Sequence, residues 1–156
     1  MAQSTRATLA LKAAQIPHTV HRYDYDGDAP SIGLQAAEAL GVPASVVFKT
    51  LMLLIDGKAA CAILPSDQSL SMKRVAAAFG GKSADMMKPA DAERMTGYKI
   101  GGISPLGQMR SVGTLLDETA LAHPHIYING GQRGLQIQLS PHDLATLVTK
   151  VAPVST

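Results

Sequence analysis

Apolar residues arrive along this chain in short runs whose spacing switches between helical and strand-like. From Ser4 to Gln15, Ala7, Leu9, Leu11 and Ala14 follow a Ser/Thr cap, and Ile16-Pro17 stops the run, so the segment predicts a helix. Residues 18–23 predict a strand, followed by an acidic loop over 24–30. Ser31 caps a second helix through Leu40, with Gly41 as its C-terminal stop and Pro43 beyond. The densest apolar run, Val46 to Ile55, reads as a strand that enters a hairpin at Asp56-Gly57 and returns over 59–64. A third helix is predicted over 71–79 and a short fourth over 90–95, each ended by glycine. Residues 98–117 show no helical period, and their tail, 111–116, predicts a strand. Strands over 126–129 and 135–139 flank a glycine-rich turn, and Ser140-Pro141-His142-Asp143 has the cap, proline and acid of a helix start. Six or seven short strands with four or five helices, not in strict alternation, predict an α+β fold with a mixed sheet.

One residue breaks the pattern of the longest strand. Lys49 stands inside Val46–Ile55, sharing a face with Val47, Leu51 and Leu53. A buried ammonium is costly unless a partner or an anionic ligand meets it. The alternative is a packed stem with the amine reaching solvent at a sheet edge.

Composition narrows the class. The 156 residues are expected to form one domain spanning 1–156, enough to bury about two thirds of the unfolded surface. Trp is absent and aromatics are 4%, so the core must rest on Ala, Val, Leu, Ile and Met. No apolar stretch reaches the length of a membrane span, and the polar start does not read as a signal peptide. The single cysteine, Cys61, excludes an internal disulfide and suits a cytoplasmic protein. The net charge is only +2, but Lys73 to Arg110 holds seven basic residues against three acidic ones, a stretch able to face phosphates.

Several familiar motifs fail on inspection. Asp24, Asp26 and Asp28 have the 1, 3, 5 spacing of a calcium loop, but Ala29 replaces the glycine and Gln35 the bidentate glutamate. His123-Pro124-His125 has no further ligands to complete a metal site. Gly102 to Gly107 has P-loop glycine spacing, yet Gln108-Met109 stands where Lys and Ser/Thr are needed. Gly97, Gly101, Gly102 and Gly107 nonetheless allow a backbone that presents N–H groups to a ligand, or a structural turn. Gly130-Gly131-Gln132-Arg133-Gly134 reads as a hairpin turn from which Arg133 can reach an anion. No nucleophile and base pair up: Cys61 sits in a small-residue inner strand, Ser104 precedes a proline, and no histidine has an evident acid partner.

Three ordered blocks resemble a known family. Phe48-Lys49-Thr50-Leu51, Thr96-Gly97-Tyr98-Lys99-Ile100-Gly101-Gly102-Ile103-Ser104-Pro105-Leu106-Gly107-Gln108, and Gly131-Gln132-Arg133-Gly134-Leu135 with Ser140-Pro141-His142-Asp143-Leu144 resemble the YbaK/EbsC family. That family belongs to the editing-domain superfamily related to the insertion domain of bacterial prolyl-tRNA synthetase. The resemblance runs from about Thr8 to Leu147, and the Pro-Leu-Gly-Gln block is similar to the YbaK branch.

The resemblance implies a mixed, barrel-like sheet surrounded by helices, and a free-standing deacylase of mischarged aminoacyl-tRNA. It implies Cys-tRNA(Pro) as chief substrate, with Cys-tRNA(Cys) as a second. Prolyl-tRNA synthetase is the implied partner, and the protein is expected to act as a cytoplasmic monomer on the tRNA 3′ end, without DNA, membrane, metal or cofactor. The substrate's own thiol is implied as nucleophile, leaving as a thiolactone. Lys49 matches the essential lysine, Tyr23 and Thr50 match pocket positions, and Gly101, Gly102, Ile103 and Ser104 match the loop lining the site. Gly131 and Arg133 belong to the last matching block and are carried as substrate-binding candidates. Ile32 stands where relatives often have Phe, and Asn129 and Gln136 where some carry Ser and Asp; these positions shape the aminoacyl pocket. Two other readings remain: an alanyl-tRNA(Pro) deacylase using water, and a non-catalytic tRNA- or nucleotide-binding module.

Overall fold

The computed structural model describes residues 4–28 and 31–156. Its longest strands, β2 (Phe48–Ile55) and β3 (Lys58–Pro65), form an antiparallel hairpin in the expected place. Asp56 and Gly57 both have positive φ, +49° and +85°, which matches the right-handed twist of the flanking strands. The Asp56 carboxylate accepts N–H bonds from Lys82 (3.0 Å) and Ser83 (2.9 Å), tying the hairpin tip to the chain that enters β4 (Ala84–Met86).

β4 pairs with the outer edge of β2, while β5 (Gly113–Asp117) and β8 (Lys150–Ala152) extend the other side in parallel, giving the order β4-β2-β3-β5-β8. A second, antiparallel sheet has the order β1-β7-β6, from His18–Arg22, Leu135–Leu139 and Ile126–Asn129. An isolated parallel bridge between Val47 and Tyr127 joins the sheets, which do not close into a barrel. The α+β architecture with mixed pairing is as expected. The described residues hold eight strands; β4 and β8, three residues each, are too short to show a period.

Five α-helices pack around the sheets: α1 (Arg6–Ala13), α2 (Ile32–Leu40), α3 (Met72–Ala78), α4 (Pro89–Thr96) and α5 (Pro141–Ala145). Thr5, Ser31 and Ser140 cap α1, α2 and α5 through their side chains, as the sequence signals, and Ser71 caps α3 in the same way. The largest core cluster sets Phe48, Ile63 and Leu116 against Ile126, Ile128, Ile137 and Leu139, with Leu11 of α1 beneath. The opposite face of β1-β7-β6 carries Tyr23, Gln136 and Asn129, and α2 covers part of it through Ala36 and Ala37 against Tyr127.

The acidic loop is a clasp. Gln35 accepts the Asp26 N–H at 2.7 Å and donates to the Asp26 carbonyl at 2.8 Å, and the Asp28 N–H donates to Asp26 Oδ1. Ala29, the sixth position of the calcium-loop spacing, lies outside the described residues.

Candidate active site

A cleft of about 340 Å³ opens where β2 begins, beside the ends of β6 and β7. The first turn of α2, the start of α4 and the 100–103 loop complete its walls. Lys49 and Thr50 come from β2, Ile32 from α2, Gly101 and Ile103 from the loop, and Asn129 and Gln136 from the second sheet. The bridge at Val47 and Tyr127 holds the two sheets side by side at this point, so strands distant in sequence share one cleft.

Lys49 is partly buried and makes no hydrogen bond or ion pair among the described residues. Burial lowers its pKa below the ordinary amine value, partly countered by the negative charge of Asp67. A half-desolvated cation in a cleft is suited to an anionic ligand.

The loop is built so that Gly101 faces the cleft. Its φ is +90°, and a Cβ there would stand 2.6 Å from the Tyr25 hydroxyl, so only glycine fits. Arg133 Nε donates to the Ile100 carbonyl at 2.8 Å, with its guanidinium 5.6 Å from the Tyr25 ring centre. Asn129 Nδ2 donates to the Gly101 carbonyl at 3.1 Å, while its Oδ1 accepts the Gly131 N–H at 2.8 Å. With the loop's carbonyls held, the N–H groups of Gly101 and Ile103 donate no hydrogen bond among the described residues.

The remaining five sequence candidates stand outside the lining. Gly102 does not supply a free donor, because its N–H donates to the Lys99 carbonyl at 2.8 Å. Its need for glycine is packing: a Cβ would meet the Gln132 and Arg133 backbone at about 3 Å. Ser104 is fully buried, with Oγ accepting the Leu106 N–H. Gly131 packs on Tyr98, and Arg133 holds the loop from behind. Tyr23 lies beside Gln136. Burial raises its pKa, Tyr25 adds to the rise and the Gln136 amide lowers it, yet the pair falls outside hydrogen-bond geometry.

Sequence reasoning missed an apolar part of the lining, Met86 and Met87 with Pro89 and Ala92 of α4. Nothing separates these residues from ordinary core by type. Among the described residues the cleft lining contains no Cys, His, Asp or Glu, so the hydroxyls of Ser31 and Thr50 have no imidazole or carboxylate beside them there.

Residues 28–147 match the aminoacyl-tRNA editing domain, and the chain belongs to that family. Over 146 residues, 93% of this chain and 88% of the relative, it is 32% identical to EbsC of Enterococcus faecalis, to which Cys-tRNA(Pro)/Cys-tRNA(Cys) deacylase activity is ascribed. An 87-residue stretch is 31% identical to a proline–tRNA ligase of Acidithiobacillus ferrooxidans, covering 56% of this chain and 15% of that enzyme. Two solved structures share the fold. One is the hypothetical protein APE2540, with TM-score 0.86 and 23% identity over 97% of this chain and all of that one. The other, to which a trans-editing role for prolyl-tRNA synthetase is ascribed, has TM-score 0.83 and 22% identity over 99% of each chain. The resemblance to the YbaK/EbsC family thus holds over nearly the whole chain. Among the described residues no helix is long and apolar enough to cross a membrane.

Proposed function

We propose that the chain is a trans-editing aminoacyl-tRNA deacylase whose chief substrate is Cys-tRNA(Pro), with the substrate thiol as nucleophile. The observation that carries this reading is the cleft itself, which among the described residues presents an unpaired Lys49 and two N–H groups without a partner, but no thiol, imidazole or carboxylate. Such a site supplies positioning and charge stabilisation, which suits an attacking group that comes with the substrate.

In the reaction, the cysteine sulfur attacks its own ester carbonyl and the bond to the tRNA 3′ oxygen breaks. The thiol proton passes to that oxygen, and a β-thiolactone leaves. Orientation alone can supply ~7–11 kcal/mol of the barrier in well-aligned intramolecular cases. The N–H groups of Gly101 and Ile103 stabilise the charge that develops on the carbonyl oxygen. Lys49 anchors the phosphate or ribose at the tRNA 3′ end. Family membership, the EbsC relative and the surface basic stretch support this reading. Prolyl-tRNA synthetase is the proposed partner that holds the rest of the tRNA, and the cytoplasm the proposed compartment.

Deacylation of Cys-tRNA(Pro), Ser-tRNA(Pro) and Ala-tRNA(Pro) by wild type and Lys49→Ala is the test. The cysteine ester should be cleaved fastest, with activity lost in Lys49→Ala. Equal cleavage of serine and cysteine esters removes the thiolactone route. Preference for the alanine ester would instead favour water as nucleophile, and tRNA binding without turnover of any ester a binding module.

A further inference from the structure

Two residues of the cleft lining carry buried side-chain oxygens without a hydrogen-bond partner, Gln136 Oε1 and Thr50 Oγ1, and the Tyr23 hydroxyl beside Gln136 is unpaired as well. Gln136 is only 2% exposed, yet it and Thr50 line the cleft. Folded proteins leave few buried polar atoms unpaired, because each keeps its desolvation penalty without compensation. Gln136 Oε1 can only accept, while the Thr50 hydroxyl can accept or donate, so the two unpaired oxygens on the cleft lining suit a ligand group that donates.

Which donor follows from the other groups present. The Lys49 ammonium and the Gly101 and Ile103 N–H groups can only donate, so they suit the phosphate and the ester carbonyl. The carbonyls of Ile100 and Gly101 already accept from Arg133 and Asn129. The wall of Met86, Met87 and Ala92 takes apolar surface. Of the donors on an aminoacyl ester (the α-amino group, the ribose hydroxyl and the thiol), the α-amino group alone carries more than one hydrogen in both its charged and neutral forms, enough to meet two acceptors at once. We infer that Gln136 and Thr50 form a subsite for the α-amino group of the esterified amino acid, so that rapid deacylation requires that group. The subsite rests on the editing reading above. As an amide, Gln136 accepts from the amine on either side of its titration, where a carboxylate would favour the ammonium.

The test uses two esters of tRNA(Pro): cysteine, and 3-mercaptopropionate, which keeps the thiol and the ester but lacks the amine. Each enzymatic rate is divided by that ester's spontaneous hydrolysis rate. Wild type should favour the cysteine ester at least about tenfold, the size of a hydrogen bond to a charged group. Gln136→Met should cut cleavage of the cysteine ester about tenfold while changing the amine-free ester less than about threefold. Lys49→Ala should lower both alike. Gln136→Glu should keep or lower the KM for the cysteine ester, since a carboxylate attracts an ammonium. Equal wild-type rates on the two esters overturn the subsite and leave the editing reading standing. A raised KM in Gln136→Glu also overturns it, because position 136 would then face the carbonyl or phosphate. If wild type cleaves neither ester, both the editing reading and the subsite fall.

Discussion

Asn129 ties its own turn to a loop 28 residues earlier in the sequence: its Nδ2 donates to the Gly101 carbonyl at 3.1 Å and its Oδ1 accepts the Gly131 N–H at 2.8 Å. The side chain is 8% exposed, so neither bond is easily replaced by water. Asn129→Ala would leave a carbonyl and an N–H unpaired at the cleft. The expected cost is ~1–3 kcal/mol of stability, read as a lower urea midpoint with unchanged slope. Deacylation should fall further than stability, because the same bond orients the Gly101 peptide. Full activity in a destabilised variant would show that the loop holds its place without Asn129.

Gly101 and Gly41 separate backbone strain from function. Both have positive φ, +90° and +69°. At Gly41 a Cβ meets nothing within 4 Å, so Gly41→Ala should cost about 1–2 kcal/mol of backbone strain and keep its activity. At Gly101 the Cβ would also press on the Tyr25 hydroxyl at 2.6 Å, so the loop and its unpaired N–H would have to shift. Gly101→Ala should therefore lose about a hundredfold or more in kcat, the scale of one oxyanion donor. Comparable kcat in the two variants would argue against a donor role for the Gly101 peptide.

Much of this arrangement is legible in the chain because local chemistry and tertiary packing agree. Caps at Ser31 and Ser140, the Asp56-Gly57 turn and the alternation of Leu135, Ile137 and Leu139 each announce their element, and each forms. β4 and β8 are different: they exist because β2 and β5 offer free edges, and Asp56 anchors the approach to β4. Lys49 stands out as a cation in an apolar strand. Met87 and Ala92 do not, because an apolar residue lining a cleft looks the same in sequence as one filling a core. Gly102 is misleading in another way. Its glycine requirement is visible, but only the structure shows that close packing on residues 132–133 sets it, while its N–H is already used.

Cys61 should be chemically silent. It is fully buried between β2 and β5, and burial pushes its thiol up to about 12, the nearby Gln108 and Thr114 lowering it only in part. Native protein should react with a thiol reagent such as DTNB only as fast as it unfolds, and denatured protein at once with one equivalent. Cys61→Ala should deacylate Cys-tRNA(Pro) within about threefold of wild type, its cost appearing as lost packing. A large drop in kcat would return Cys61 to the list of nucleophiles.

Asp117 ends β5 fully buried, and it holds the chain end. Its Oδ1 accepts the N–H groups of Val154 (2.8 Å) and Ser155 (2.9 Å), and its Oδ2 accepts the hydroxyls of Ser155 and Thr119. Burial by itself would raise its pKa, but these hydrogen bonds outweigh burial and hold it below the ordinary carboxylate value of 3.8. A folded-state pKa below the unfolded one means that the contribution is full above the unfolded value. It is lost as pH falls through 3.8 toward the depressed folded value. Urea unfolding should therefore weaken in wild type below about pH 4, and Asp117→Asn should be less stable near neutral pH with a flatter acid limb. Some acid sensitivity should persist, since the Lys82 and Ser83 bonds also lower the pKa of Asp56. Equal losses for wild type and variant at every pH would mean that the Asp117 charge does not hold the 154–155 segment.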